Sequence, residues 1–564
     1  MQIFVPLLLL LVVGSCELAK SANILCLVGT SRHNNPSWLR PLFSALAERN
    51  HSLTLLSTDP GKDDGVPEKN IVRIHLENEY DVVKKHFMVK ETRYYHEHWS
   101  VKQLLVWYEA LLGTCRGLIE TEAMSHMKKK LDDILKKEYN LIIYDATFSM
   151  DCLLGLLPIN QVAPIMGVSS GKLTTDLMAM VRAEDTINPA RVPHYLTELP
   201  KKMNYWQRVL NHVMYLGESF VRWSVVVPVL NNVLQDPYEN PSVQLMLLNT
   251  HPVLDYIQNL PPNVIEVGGL HISSKTEAMP EYIEEFMEQF LDGIIYINLP
   301  YIDLMNGLGP NAVIQMINSY PDCGFIWNAH GLAELPEKIP NLLMCDNINQ
   351  HDILAQPQIK AFLNHGDSFS LQDAIYYAVP LIVLPLILEE FNNAQRIKER
   401  ELGVVLTPSE FTLDSFIKPL KSVLNDATYT DALYQAQIKF RNRQQRPVEL
   451  AIWHAEQLIS EPQMYKYLAQ PDTVGQNYFV IHSLDILILP LFVLITFVLN
   501  LVYLIYQIYE GYKLEKVPKK LSEKQKKLIK DKKNSKTNVP KKEEAGETTI
   551  GAAESKDSLK PKDE

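Results

Sequence analysis

Short apolar runs recur along this chain, and polar or helix-patterned segments fill the gaps between them. The first run after the N-terminal leader is Ala-Asn-Ile-Leu-Cys-Leu-Val (22–28). Residues 41–49 follow with helical spacing, and Ser-Leu-Thr-Leu-Leu-Ser-Thr (52–58) comes next. Strand, helix and strand in that order predict a parallel pair joined by a right-handed crossover. Residues 80–138 are long, charged and helical in pattern. Asn-Leu-Ile-Ile-Tyr-Asp (140–145) then reads as a buried strand that ends on an acid, Asp145, and 164–170 as another. Helices rich in Trp, Val and Leu are expected over about 203–235. Val-Ile-Glu-Val-Gly-Gly-Leu (264–270) completes the first half.

A second alternation begins after a linker and an acidic helix at 271–292. Its predicted strands are 293–299, 324–329, 341–346, 361–366, 381–386 and 403–407, with helices between them. Two successive α/β halves imply two doubly wound, Rossmann-like domains facing across a cleft. Ligands are expected beyond the carboxyl ends of the strands. The expected division is 1–22 as a signal, 23–270 as the first domain, 271–292 as linker and helix, and 293–455 as the second domain. Closing helices at 456–485, a membrane span at 486–508 and a disordered Lys-rich tail at 509–564 follow.

The two ends set the compartment. Val5–Val13 is apolar but too short to span a bilayer, and Gly14, Ser15 and Cys16 follow it, which is the layout of a cleaved secretory signal. Ile486–Ile508 is uncharged and rises about 34 Å as a helix, enough to cross the hydrocarbon core. Thirteen lysines against three acids in Gly511–Lys542 mark the cytoplasmic side. Both ends therefore give one orientation, a single-pass type I protein with its bulk in the lumen. The terminal Lys560 and Lys562 resemble a dilysine retrieval signal for the endoplasmic reticulum membrane.

Composition narrows the function. At 564 residues the chain is too long for one core, and 46% apolar residues exclude a mainly disordered protein. A formal net charge of −12 argues against a nucleic-acid binder. Cys26, Cys115, Cys152, Cys323 and Cys345 remain after signal removal, too scattered for a disulfide framework or a zinc site. Asn50-His51-Ser52 is a usable glycosylation sequon. The pair His96 and His98 reads as a solvated helix face rather than a metal site.

Three stretches carry a resemblance: Val-Ile-Glu-Val-Gly-Gly-Leu-His-Ile (264–272), Ile-Asn-Gln-His-Asp-Ile-Leu-Ala-Gln-Pro (348–357), and residues 361–386. They resemble the UDP-glycosyltransferase family of the animal glucuronosyl and glucosyl type, with its GT-B arrangement of two Rossmann-like domains. The resemblance implies inverting, metal-independent transfer of a hexose from a UDP-sugar to a small lipophilic acceptor. It implies no separate cofactor, since the UDP-sugar is the donor substrate. It also implies homo- or hetero-oligomers with related transferases. On this pattern His365, Gly366 and Ser370 meet the diphosphate, Gln350 and Asp373 the ribose, and Glu389 the sugar. Asp145 orients the catalytic base, for which His33 is the available histidine.

The chain departs from the family pattern at several of these places. Aligned on Pro41, the histidine of the family falls on Asn35, which cannot accept a proton at neutral pH. Asn347 stands where a tryptophan stacks uracil, and Asp367 and Phe369 replace a glycine and an asparagine in the phosphate loop. Glu390 replaces a glutamine, and Asn298-Leu299-Pro300-Tyr301 replaces a Ser-x-Gly-Ser loop. The same residues thus also fit a catalytically impaired relative that binds lipophiles or partners with active sister enzymes.

Overall fold

The computed structural model describes residues 21–28, 38–57, 69–75, scattered positions between 104 and 113, 137–147, 154, 163–181, 187–234, 243–300 except 274, 275 and 277, 302–345 except 306 and 329–338, 348–386, 389–468 and 484–534. Residues 1–20 of the signal expected at 1–22 and the His96/His98 pair lie outside these residues, as do the loop holding His33 and Asn35, and Asn347.

The first half contains β1 (Asn23–Val28), α1 (Arg40–Glu48), β2 (Ser52–Ser57), β3 (Ile71–His75), β4 (Leu141–Asp145), β5 (Ile165–Ser169) and α2 (Thr175–Met180). It continues through α3 (Tyr205–Val221), a π-helical turn (Arg222–Val226), α4 (Val227–Leu234), β6 (Leu245–Leu248) and β7 (Val264–Glu266). All described pairings are parallel, in the order β3-β2-β1-β4-β5-β6-β7. Strands buried on both faces by helices read as unbroken apolar runs, which is why Leu141–Asp145 is buried throughout. Strands β3 and β6 were not among those expected from the sequence.

The second half contains α5 (Glu281–Glu288), β8 (Ile294–Asn298), α6 (Leu308–Ser319), β9 (Gly324–Asn328), β10 (Leu342–Cys345) and α7 (Gln350–Leu354). It continues through β11 (Ile359–Asn364), α8 (Ser368–Tyr377), β12 (Leu381–Val383), α9 (Glu389–Glu399) and β13 (Gly403–Val405). Its sheet is parallel in the order β10-β9-β8-β11-β12-β13. In both sheets the strand order reverses at one place, between β1 and β4 and between β8 and β11. A crevice opens at such a reversal because the two flanking crossovers leave toward opposite faces.

Helices α10 (Ile417–Asn425), α11 (Ala427–Arg441), α12 (Pro447–Ser460) and α13 (Met464–Leu468) follow. Helix α12 spans the boundary expected at 455. Its Ala451, Ile452, Ala455 and Leu458 join the core under the first sheet, with Leu42, Phe43 and Leu46 of α1. Arg49, just after α1, donates to Glu449 at 3.0 Å and Glu456 at 2.8 Å. The chain therefore crosses back to its first domain before it leaves. Cys26, Cys323 and Cys345 are buried.

The last helix, α14 (Leu484–Asn534), belongs to a separate unit, Gln476–Glu564. Its segment Ile486–Lys513 is long and apolar enough to cross a membrane, and its side chains are exposed. The helix runs on through Asn534, where the Lys-rich composition predicts disorder from 509. Leu, Lys, Glu and Gln are good helix formers, and a helix already begun extends without a second nucleation cost.

Candidate active site between the two domains

The two strand reversals bring most of the sequence-predicted residues to the inner ends of the sheets. On the first domain, β4 delivers Asp145. Its Oδ1 accepts from the Thr147 backbone N at 3.1 Å and from the Thr147 hydroxyl, and the Trp38 side chain also donates to the carboxylate. Burial outweighs these three bonds and pushes the Asp145 carboxyl up to about 6. Asp145 thus titrates close to neutral pH. In the sequence Trp38 follows directly on the loop that carries His33.

On the second domain, β11 turns sharply into α8. Gly366 has φ +91°, and a Cβ there would meet Val383 Cγ1 at 2.8 Å, so the turn requires glycine. Its N–H donates to Asn364 Oδ1 at 2.7 Å, and its carbonyl accepts from Asn393 Nδ2 at 2.7 Å. His365 is buried, with Nδ1 2.8 Å from the Leu384 carbonyl, and the Leu299 carbonyl also lies against the ring. Burial holds the imidazole down at about 4 despite both carbonyls. The ring is therefore neutral at physiological pH and has one N–H to donate, which the Leu384 carbonyl just after β12 is placed to accept. It brings no positive charge to a phosphate.

The helix N-terminus beside it already has an anion. Asp367 is the N-cap of α8, and its Oδ1 accepts from Ser370 N at 3.0 Å. Burial pushes its pKa up, against the lowering effect of the Ser370 bonds. One of the free N–H groups that a helix start offers to a phosphate is thus taken by the chain's own carboxylate. Phe369, the next departure, is buried. Its ring lies 5.7 Å from Trp38 and 4.8 Å from His271, so it packs into the core of the first domain.

Around this turn the ribose candidates meet. Gln350, at the start of α7, donates from Nε2 to Asp373 Oδ2 at 2.8 Å and to Ser370 Oγ at 3.3 Å. Its Oε1 accepts from Asn298 Nδ2 at 2.8 Å. The other oxygen of Asp373 lies 3.2 Å from His271 Nε2, and His271 Nδ1 lies 3.3 Å from Asn249 Nδ2 at the end of β6. Gln372 donates to the Asn249 carbonyl at 2.6 Å and accepts from Gly269 N at 2.6 Å. One hydrogen-bonded chain thus joins β8, α7, α8, the linker and β6. His271 was not singled out from the sequence as a site residue. Its only signal was its place in the 264–272 stretch.

Glu389 opens α9. Its carboxylate stands beside Gly171 and near the Lys172 ammonium, both on the loop after β5. Lys172 is buried, donates to Asn392 Oδ1, and is held well below its ordinary pKa chiefly by burial. Glu390 is buried and accepts from the Leu386 N–H at 2.9 Å. Farther along α9, Asn392 donates to the Thr197 carbonyl at 2.9 Å, and Arg396 pairs with Asp255. Glu399 accepts from Lys201 N at 2.8 Å and the Tyr256 hydroxyl at 3.0 Å. This helix is bolted to the first domain along its length.

The first domain also contains an apolar cavity of about 300 Å³, lined in part by Tyr108, Leu112, Val221 and Val229. The Tyr108 hydroxyl donates to Asp176 at 3.0 Å from the cavity wall. Among the described residues no cluster of His, Cys, Asp and Glu has the make-up of a metal site.

Comparison with known proteins agrees with this layout. The family model for UDP-glucuronosyl and UDP-glucosyl transferases matches residues 40–521. UDP-glucosyltransferase 2 of Dactylopius coccus is 24% identical over 465 residues, 78% of this chain and 84% of the relative. UDP-glucuronosyltransferase 1A9 of Mus musculus is 24% identical over 409 residues, 67% of this chain and 72% of the relative. Among solved structures, the calicheamicin glycosyltransferase CalG4 aligns with 78% of this chain and 98% of its own, at 17% identity and a TM-score of 0.48. The chain belongs to the UDP-glucuronosyl and UDP-glucosyl transferase family, the UDP-glycosyltransferases that move a sugar from a UDP-sugar donor.

Proposed function

We propose that this protein transfers a hexose, glucose or glucuronate, from its UDP-sugar to a small lipophilic acceptor, with inversion and without a metal. The observation that carries this reading is the convergence of Gln350, Ser370 and Asp373 in one hydrogen-bonded set at the β8/β11 reversal. An amide and a carboxylate that bond each other can exchange that bond for a ribose diol with little loss of hydrogen bonding. Glu389 accepts from the sugar hydroxyls, and the backbone N–H groups that open α8, with Gly366 and Ser370, face the diphosphate. Asp145 orients His33, which takes the proton of the acceptor. The cavity of about 300 Å³ suits a small apolar molecule, and the relatives are named for glucosyl and glucuronosyl transfer. The signal, the span and the dilysine end support residence in the endoplasmic reticulum membrane, with the bulk in the lumen and the tail in the cytoplasm.

A second reading is favoured by two observations at the same turn. Asp367 already caps the phosphate-facing helix, and Phe369 packs across to Trp38. A carboxylate within about 6 Å of a diphosphate costs on the order of 1–3 kcal/mol. On this reading the chain is an impaired member that binds lipophiles or partners with sister enzymes, without turnover. Incubating the full-length protein in membranes with UDP-glucose or UDP-glucuronate and a panel of phenols separates the two. Glycosylated product that disappears in Asp145→Asn supports transfer, and no product with any donor supports the impaired reading.

A further inference from the structure

Helix α3 is built inside out. Its buried face carries Asn211, Glu218 and, at the π-helical turn, Arg222, among Met214, Tyr215 and Val221. Glu218 is fully buried and is met by His194 Nε2 at 3.2 Å, the Tyr195 hydroxyl at 2.8 Å and the Thr175 hydroxyl. Arg222 pairs with Asp176. The opposite face should be polar if water covers it. Instead Trp206, Val209, Val213, Leu216, Phe220 and Trp223 recur every three or four residues along it, all exposed. The two tryptophans that end the stripe are 75% and 73% exposed. An exposed helix face with no charged residue in its stripe is an unmet surface.

Three features identify what covers it. Aromatic rings stand at both ends, Tyr205 and Trp206 at one and Trp223 at the other, as amphipathic rings do where hydrocarbon meets headgroups. Every exposed charged side chain described on 201–234 is positive: Lys201, Lys202 and Arg208. Lys and Arg beside an apolar, Trp-bearing face are the composition of a helix that lies in a membrane interface. The connecting segment 469–483 reaches at most about 54 Å when fully extended, so the domain stays close to whatever bilayer holds Ile486–Lys513. We infer that the exposed face of α3 lies in the surface of that membrane, as a second, non-spanning contact parallel to the lipid plane. The buried polar chain through Glu218 and Arg222 fixes the helix from behind, so its rotation about its own axis is set before lipid is met.

The test uses the full-length protein in phosphatidylcholine and phosphatidylserine vesicles. Phe220→Cys and, as a control on an exposed part of α11, Tyr434→Cys are each labelled with an environment-sensitive fluorophore, and the signal of the labelled parent is subtracted. With spin-labelled acyl chains in the vesicles, the label at 220 is expected to shift to the blue and to be quenched at least threefold more than the label at 434. Equal quenching at both positions overturns the inference. Label-to-label contact at 220 without lipid quenching also overturns it, because the cover would then be a second protein copy. The readout needs no nucleotide and no turnover, so it stands or falls apart from the transferase reading.

Discussion

Two titratable groups stand at equivalent places in the two sheets and are shifted in opposite directions on a protonation scale. At the carboxyl end of β4, Asp145 is pushed up to about 6, while at the end of β11, His365 is held down at about 4. Burial does both, because it disfavours whichever form is charged. The carboxyl is thereby raised toward neutral pH, and the imidazole is held neutral, with one N–H to donate to a backbone carbonyl. On the proposed function, proton chemistry belongs to the first domain, and the second holds the UDP-sugar through N–H groups and neutral side chains, with Asp373 and Glu389 as its acids.

The largest effect that tests this division is on turnover. Asp145→Asn keeps the shape and the oxygen that accepts from Thr147 but removes the titration. It is expected to lower kcat by about 10²–10⁴ and to leave UDP affinity unchanged. Equal losses in both would show that the proton chemistry is not confined to the first domain.

Stability against pH separates the two groups next. Between about 6.5 and 4 the folded chain binds fewer protons at His365 than the unfolded chain, so stability falls as pH drops through that window, by about 3 kcal/mol. Asp145 works the other way. Its folded pKa is raised, so its contribution is full below about 3.8 and is lost as pH rises through 6, again by about 3 kcal/mol. The two trends nearly cancel in the parent chain. Denaturant midpoints across pH 4–7 should therefore show His365→Gln gaining stability toward acid, and Asp145→Asn losing it toward acid while being the more stable at pH 7. Variants with unchanged profiles would remove the contrast.

Smaller changes sharpen the picture of the second domain. Gln350→Ala and Asp373→Ala are each expected to weaken UDP binding by about tenfold, the worth of one good hydrogen bond to a charged or paired group. Asp367→Asn keeps a cap but removes the charge beside the diphosphate, and should tighten UDP binding about fivefold. Calorimetric titration of the variants reads both, and a weakening in Asp367→Asn would mean that its carboxylate helps to hold the ligand.

The sequence showed most of this frame, and its blind spots have physical causes. Strands β1, β4, β8 and β11 are buried on both faces, so their apolar runs stood out. Strand β6 is Leu-Met-Leu-Leu, four good helix formers too short to show a period, and β3 carries Arg73 inside the pattern. Gln350, Ser370 and Asp373 were legible because they lie in contiguous stretches with family spacing. The contact of Phe369 with Trp38 and the link from Asp373 to His271 were not, because each joins segments brought together only when the domains close. The neutrality of His365 was hidden for the same reason, since its cause is burial against Leu384 and Leu299.

On the proposed function, the paired Gln350 and Asp373 open to hold a uridine diphosphate sugar between the domains. Isothermal titration of the full-length protein in lipid nanodiscs with UDP, UDP-glucose and UDP-glucuronate tests it most directly. Saturable, one-to-one binding that Gln350→Ala weakens is the expected result. Absence of heat with all three ligands would contradict it.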